Sequence, residues 1–173
     1  MNTILTPDEA RKYGRPIGKV SDEKLYAFII EVEQTIIRKS LGDELYIKII
    51  DSQEFSGDIA LLIDGGRYKD ECGNTRLLSG LKVAEAYFVY AQNVRAGDYE
   101  STRYGMVVKN DDYSTGLSSK ERDALANNAT EIANAYLREC KAFCRAKGIP
   151  CKDSERHNMN ITSGCVIRKI RHN

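Results

Sequence analysis

Apolar positions fall into helical registers along most of this 173-residue chain. The densest stretch is Leu78 to Ala96, LSGLKVAEAYFVYAQNVRA. Leu81, Ala84, Tyr87 or Phe88, and Ala91 follow a spacing of three and four. Val83, Ala86, Val89 or Tyr90, and Val94 mark a second stripe beside the first. A surface helix carries one apolar stripe about 100° wide. Two stripes predict a helix covered on most of its sides, the central post of a helical domain. Tyr87, Phe88 and Tyr90 cluster on it, and each phenol needs a partner or water for its hydroxyl. The post is therefore expected at the edge of a core or at a subunit interface, with Ser79 as its N-cap and Gly97 as its stop.

Elements before the post are shorter. Thr6-Pro7-Asp8-Glu9 is a compact helix start, with Thr6 as cap, Pro7 in the first turn and Glu9 closing a capping box. Gly14, Pro16 and Gly18 end that helix early and predict an extended arm over Gly14–Lys19. Ser21 or Asp22 opens the next helix. Leu25, Phe28, Ile29, Val32 and Ile36 form its apolar stripe, widened by Tyr26, Ile30 and Ile37. Lys24, Glu31, Glu33, Arg38 and Lys39 are expected in solvent. Leu41-Gly42-Asp43 breaks it, and Asp43 is expected to cap a piece burying Leu45, Tyr46, Ile49 and Ile50. After Gly57, Asp58 is expected to cap a short apolar helix over Ile59–Ile63, which Asp64-Gly65-Gly66 ends.

Gly66 to Leu78 reads as a β-hairpin turning at Cys72-Gly73-Asn74. Two short strands are marginal alone, so the hairpin must lean on a helix or a neighbouring subunit. Met106-Val107-Val108 reads as a lone strand in the polar segment Asp98–Gly116. Ser118 or Ser119 starts the last helix, with Leu125, Ala129, Ile132, Ala133, Tyr136, Leu137, Cys140, Phe143 and Cys144 in register to Lys147. The chain is thus predicted to be all-α, a bundle of about four or five helices with an inserted β-hairpin. It divides into a helical domain over 1–148, whose residues 1–20 are a short helix and arm, and a C-terminal tail over 149–173. Only Ile161, Val166, Ile167 and Ile170 are large and apolar in the tail. They bury too little to offset the entropy of ordering it, so the tail is expected to order on a partner.

Composition narrows the function classes. A net charge of +1 creates no global field for nucleic acid or an anionic membrane. No apolar run reaches the roughly 18 residues of a membrane span, and the N-terminal segment has no signal-peptide pattern. Five cysteines outside a dense framework are expected as reduced thiols in a cytosol. Cys140-x3-Cys144, with Cys151, His157 and Cys165 beyond, supplies half of a zinc-site spacing, but no second knuckle accompanies it and both residues lie on an apolar stripe. A cysteine nucleophile would need His157 or His172, both in the tail and without fixed geometry. Asp64-Gly65-Gly66-Arg67 has no phosphate-loop spacing. The pairs Asp70-Glu71 and Asp111-Asp112 are adjacent, so their side chains diverge. The tail is mildly basic, with five basic against two acidic side chains, far short of a DNA-binding stripe. No catalytic, cofactor-binding or metal-binding residue is assigned.

Several segments in order resemble a known family. They are Leu41-Gly42-Asp43-Glu44-Leu45-Tyr46, Leu61-Leu62-Ile63-Asp64-Gly65-Gly66-Arg67-Tyr68, Asp70-Glu71-Cys72-Gly73, and Gly80-Leu81-Lys82-x-Ala84-x-Ala86-Tyr87-Phe88-x-Tyr90-Ala91. Thr102-Arg103-Tyr104-Gly105, Val108-Lys109 and Ala135-Tyr136-Leu137 follow. Over Ser21–Lys147 the chain resembles the head-to-tail adaptor, or connector ring, proteins of tailed bacteriophages, particularly those of crAss-like and related phages and prophages of Bacteroides-type hosts. The resemblance implies a non-enzymatic virion protein assembled in the host cytoplasm. It implies a ring of about twelve copies beneath the portal, extending the DNA channel and linking capsid to tail. The implied partners are the portal protein, other copies of itself, and other tail or ring proteins. DNA would pass without sequence-specific binding, and no membrane or cofactor is involved. Alternative readings are another virion ring or tail-completion protein, or a small DNA-binding packaging module. The two apolar stripes of the post are expected to exceed what one chain covers, leaving a face for a neighbouring copy.

Overall fold

The computed structural model describes residues 2–18, 20–52, 56–97 and 118–152, and the backbone of 99–102 and 105–108. The expected arm end at Lys19, the Asp111-Asp112 pair, the Arg103-Tyr104 and Lys109 positions and the tail beyond Lys152 lie outside the described residues.

The chain is a helical bundle with a small antiparallel hairpin, as its periodicity predicts. Helix α1, Pro7–Tyr13, starts on the Thr6/Glu9 capping box, with both reciprocal bonds formed. Helix α2, Asp22–Val32, is capped by Ser21 and continues without a break through a π-helical turn, Glu33–Ile37, into α3, Arg38–Leu41. Leu25, Ile29, Glu33, Ile37 and Leu41 are all buried. A strict spacing of four drifts around an α-helix by about 40° each step. The wider π turn takes back that drift and keeps the whole row on the core.

Helix α4, Asp43–Asp51, follows at a corner whose cap is Gly42, at φ 91°. Asp43 is the first helical residue rather than the cap, and its carboxylate accepts from Arg38 Nε at 2.7 Å. Helix α5, Gly57–Asp64, begins at Ser56, so Asp58 sits in the first turn and faces Lys147 at 3.6 Å. Strands β1, Gly66–Lys69, and β2, Thr75–Leu78, pair with Gly66 opposite Leu78 and Lys69 opposite Thr75. The hairpin leans on its own chain: the Tyr68 ring stands edge-on to Phe143 at 4.8 Å, and Leu78 is buried. A second hairpin joins β3, Tyr99–Thr102, to β4, Gly105–Val108. The sequence showed only its second strand, because Tyr-Glu-Ser-Thr has no apolar alternation to mark the first.

Helix α6, Leu81–Ala96, is the post. It begins after Gly80, not at Ser79, because Leu78 is spent on β2; the Ser79 hydroxyl instead donates to Glu139 at 3.2 Å. Helix α7, Ser119–Ala146, opens on a capping box between Ser118 and Glu121 and lies along α6. Helices α1, α2 and α5 also pack against α6, and no residue from Leu81 to Val94 is exposed. The expected surplus face on this helix is therefore covered by the chain itself. Alanines make this possible: Ala91 meets Ala126 and Ala129, so the two helix backbones approach closely there. That contact also turns Leu125 outward, 37 % exposed, where the sequence stripe had placed it inside. Beyond α7, Ile149 and Cys151 pack on the core, and Lys152 N–H donates to Leu41 carbonyl at 2.9 Å, so the described bundle runs through the start of the tail segment.

The α5 exit and the α6 entry are locked together by two glycines. Gly65 and Gly80 have φ of 82° and 94°. A Cβ on Gly80 would lie 2.6 Å from Gly65 N, and one on Gly65 would lie 2.6 Å from the Leu78 and Ser79 carbonyls. Both clashes are with backbone, which cannot swing aside as a side chain would. Gly80→Ala is expected to cost about 2–4 kcal/mol, combining left-handed strain with backbone displacement, where Gly73→Ala at the open turn costs about 1 kcal/mol. Urea unfolding of the two variants checks the contrast.

Candidate functional site

Two acids are buried in the described residues, and they face each other. Glu33, in the π turn, is 1 % exposed and Glu85, on α6, is 0 % exposed. Glu33 was expected in solvent; its spacing of four from Ile29 and Ile37 places it on the buried row instead. Its Oε1 accepts from Ile4 N–H at 2.6 Å, and its Oε2 accepts from the Tyr46 hydroxyl at 2.9 Å. Gln34 Nε2 donates to the same Tyr46 oxygen at 3.1 Å. The chain thus brings four elements to one carboxyl: the segment before α1, the π turn, α4 and α6. Ile4 and Leu5 are buried beside it.

Neither Glu85 oxygen has a partner that donates to it. Two ionised carboxylates could not share this space, since each offers only acceptors. A proton on Glu85 converts the contact with Glu33 into an acid–carboxylate hydrogen bond. Burial first, then the Glu33 charge, push the Glu85 carboxyl well above its ordinary range; Glu9 acts the same way and Lys82 opposes it. Burial also raises Glu33, against the pull of its bonds from Ile4 and Tyr46. Burial and the bond to Glu33 likewise raise the Tyr46 phenol, which stays a donor. Burial and their mutual repulsion favour one shared proton on the pair, which ties the N-terminal segment to the core.

Beside it, Lys82 bridges α1 and α5, with Glu9 and Asp64 carboxylates each at 2.8 Å. Burial works against its charge, but Asp64 and Glu9 together hold its pKa above the ordinary value.

The thiols weighed from sequence do come together. Cys140 and Cys144 are buried on α7, and Cys151 returns beside Cys144. Burial pushes the Cys140 thiol up to about 12. The contact with Cys151, then burial, raises Cys144. Buried thiols with raised pKa values are poor nucleophiles, since the thiolate is the attacking form. Among the described residues no group of three or more His, Cys, Asp or Glu side chains is arranged to hold a metal ion. His157, Cys165 and His172 lie outside the described residues. Asp70 is a turn carboxylate: it accepts from the backbone N–H groups of Cys72 and Asn74 at 3.0 and 2.8 Å and from Arg76 at 2.9 Å. Gly65-Gly66 forms the helix exit already described.

Residues 37–149 match the model of a family of unknown function, DUF6712. The chain belongs to that family. No curated protein and no solved structure matches it. The DUF6712 span holds Tyr46, Lys82 and Glu85, together with Gly65 and Gly80, but begins after Glu33 and Ile4. The carboxyl pair therefore joins the DUF6712 region to the helices that precede it.

Glu85 is the one acid between Leu81 and Ala96, in a helix with two apolar stripes, and that was the available signal for it. Its effect on stability has a definite sign. The unfolded carboxyl titrates near ~4.3, and the folded value is raised, so the folded state binds more protons above that pH. Stability is full below about pH 4 on this account and falls as pH rises toward the folded value. The lowered acids Glu9, Asp43, Asp70 and Glu121 act in the opposite sense and in a lower window, losing stability as pH falls below their unfolded values. Glu85→Gln keeps a donor toward Glu33 and removes the proton requirement. Its melting temperature is expected to exceed wild type by roughly 3 °C or more at pH 8, and to converge with it near pH 5. Circular dichroism melts between those pH values check this; parallel curves would contradict it.

Proposed function

We propose that this chain is a structural virion protein, a subunit of the head-to-tail adaptor ring of a tailed bacteriophage. In this role it sits beneath the portal, extends the DNA channel and links capsid to tail, and it performs no catalysis. The observation that carries the reading is the ordered series of adaptor-like segments and their positions in the fold. Leu41–Tyr46 turns the corner between α3 and α4 and buries Leu41, Leu45 and Tyr46. Leu61–Tyr68 is the α5 exit and β1, Gly80–Ala91 is the enclosed post, and Ala135–Leu137 lies on α7. The resemblance thus falls on the residues that build the framework. A second support is the hairpin: residues 71–77 are all exposed, giving the bundle a protruding arm that a neighbour in a ring can receive.

In this reading the tail beyond Lys152 docks on the portal or on an adjacent ring. Negative-stain electron microscopy of the purified chain, alone and mixed with a portal protein from the same source, tests the assignment. Rings, or portal particles with an added tier, are expected. Truncation after Lys152, which leaves the Lys152–Leu41 bond in place, is expected to abolish the added tier while the melting temperature stays within about 2 °C. A steep fall of DNA affinity with salt would instead favour the packaging module, and rings that bind tail proteins but never portal would favour a tail-completion protein.

A further inference from the structure

Two exposed apolar side chains on the bundle have rims of opposite charge. Leu77 is 74 % exposed and Ile47 is 53 % exposed, so neither is covered by the other within one chain. Leu77 lies on β2 opposite Arg67, and Thr75 lies opposite Lys69. Side chains alternate across a strand, so these four share the face turned away from Tyr68 and Leu78, which pack inward. All four are exposed. Arg76, on the other face, is committed to Asp70. Among the described residues Arg67 and Lys69 form no ion pair, and Glu71 at the turn is the nearest acid in sequence without one.

Ile47 lies on the outer side of α4. Glu44 and Asp51, at three before and four after it, share its helix face, with Lys48 alongside. These residues are exposed too, whereas Asp43 is held by Arg38. The hairpin therefore offers an apolar centre with a basic rim, and α4 an apolar centre with an acidic rim. Pairing like with like would oppose Arg67 and Lys69 to their own copies. Pairing unlike satisfies both rims, and such a head-to-tail contact is the kind that propagates around a ring.

We propose that the outward hairpin face of one copy docks on α4 of the next copy, Leu77 against Ile47, with Arg67 and Lys69 facing Glu44 and Asp51. This rests on the ring reading and names the surface that would build it. The test is sedimentation velocity of the full-length chain across concentration, with four variants. R67E/K69E and E44K/D51K are each expected to weaken self-association about tenfold or more. The chain carrying all four changes is expected to recover to within about threefold of wild type, since the rims are again opposite. Leu77→Asp is expected to abolish association. All the changed positions are exposed, and melting curves verify that each variant is folded.

Association that ignores either charge reversal, or a fourfold variant that fails to recover, overturns the docking pair while rings under the microscope keep the adaptor reading alive. A wild-type chain that stays monomeric to about 1 mM at low salt also overturns the pair. The adaptor reading fails separately, if no tier forms on portal. Association unchanged by all four variants but lost on truncation after Lys152 assigns the contact to the tail and overturns the proposal.

Discussion

The structure depends on surrounding one helix with the rest of the chain. Helix α6 is met by α1, α2, α5 and α7, and each of those elements is placed by what it must cover. A carboxyl buried as deeply as Glu85 on such a helix must be neutralised or paired where it sits. Glu85 meets the requirement by keeping a proton and facing Glu33, whose own acceptors are taken by Ile4 and Tyr46. The buried acids thereby tie the N-terminal segment and the π turn to the post, alongside the apolar packing of Ile4, Leu5, Ile37 and Leu41. The two glycines at the α5–α6 crossing impose the other fixed point, since only they let the chain leave one helix and enter the next at backbone contact.

Much of this was legible in the residues. The helical registers, the Thr6 capping box, the Ser118 start, the hairpin and its turn follow from local rules, because caps, turns and periodicity are local physics. The failures share a cause. Glu33 was read as solvated because its type outweighed its spacing of four from Ile29 and Ile37. Leu125 was placed inside because its size outweighed the closeness that Ala91, Ala126 and Ala129 permit. The surplus face on α6 was assigned to a neighbour because a one-dimensional stripe does not say how many helices will surround it. In each case tertiary geometry decided between residues that the sequence pattern ranked by type alone.

An enclosed post also changes what self-association has to work with. No large apolar face remains among the described residues, only isolated side chains such as Leu77 and Ile47 within charged rims. Contacts of that kind are individually weak and sensitive to salt. They suit an assembly in which many identical weak contacts close on themselves, or are held by a template, better than a tight obligate dimer. The adaptor reading is of the first sort, with the portal as template.

The position of Glu33 between Ile4 and Glu85 links the segment before α1 to a helix in the middle of the chain. Contacts between positions so far apart in sequence close a long loop, and their cost is the entropy of that closure. The segment is thus a distant clasp on the bundle rather than a local appendage, and a substitution at Glu85 is felt at Ile4 through Glu33 without touching Ile4 itself.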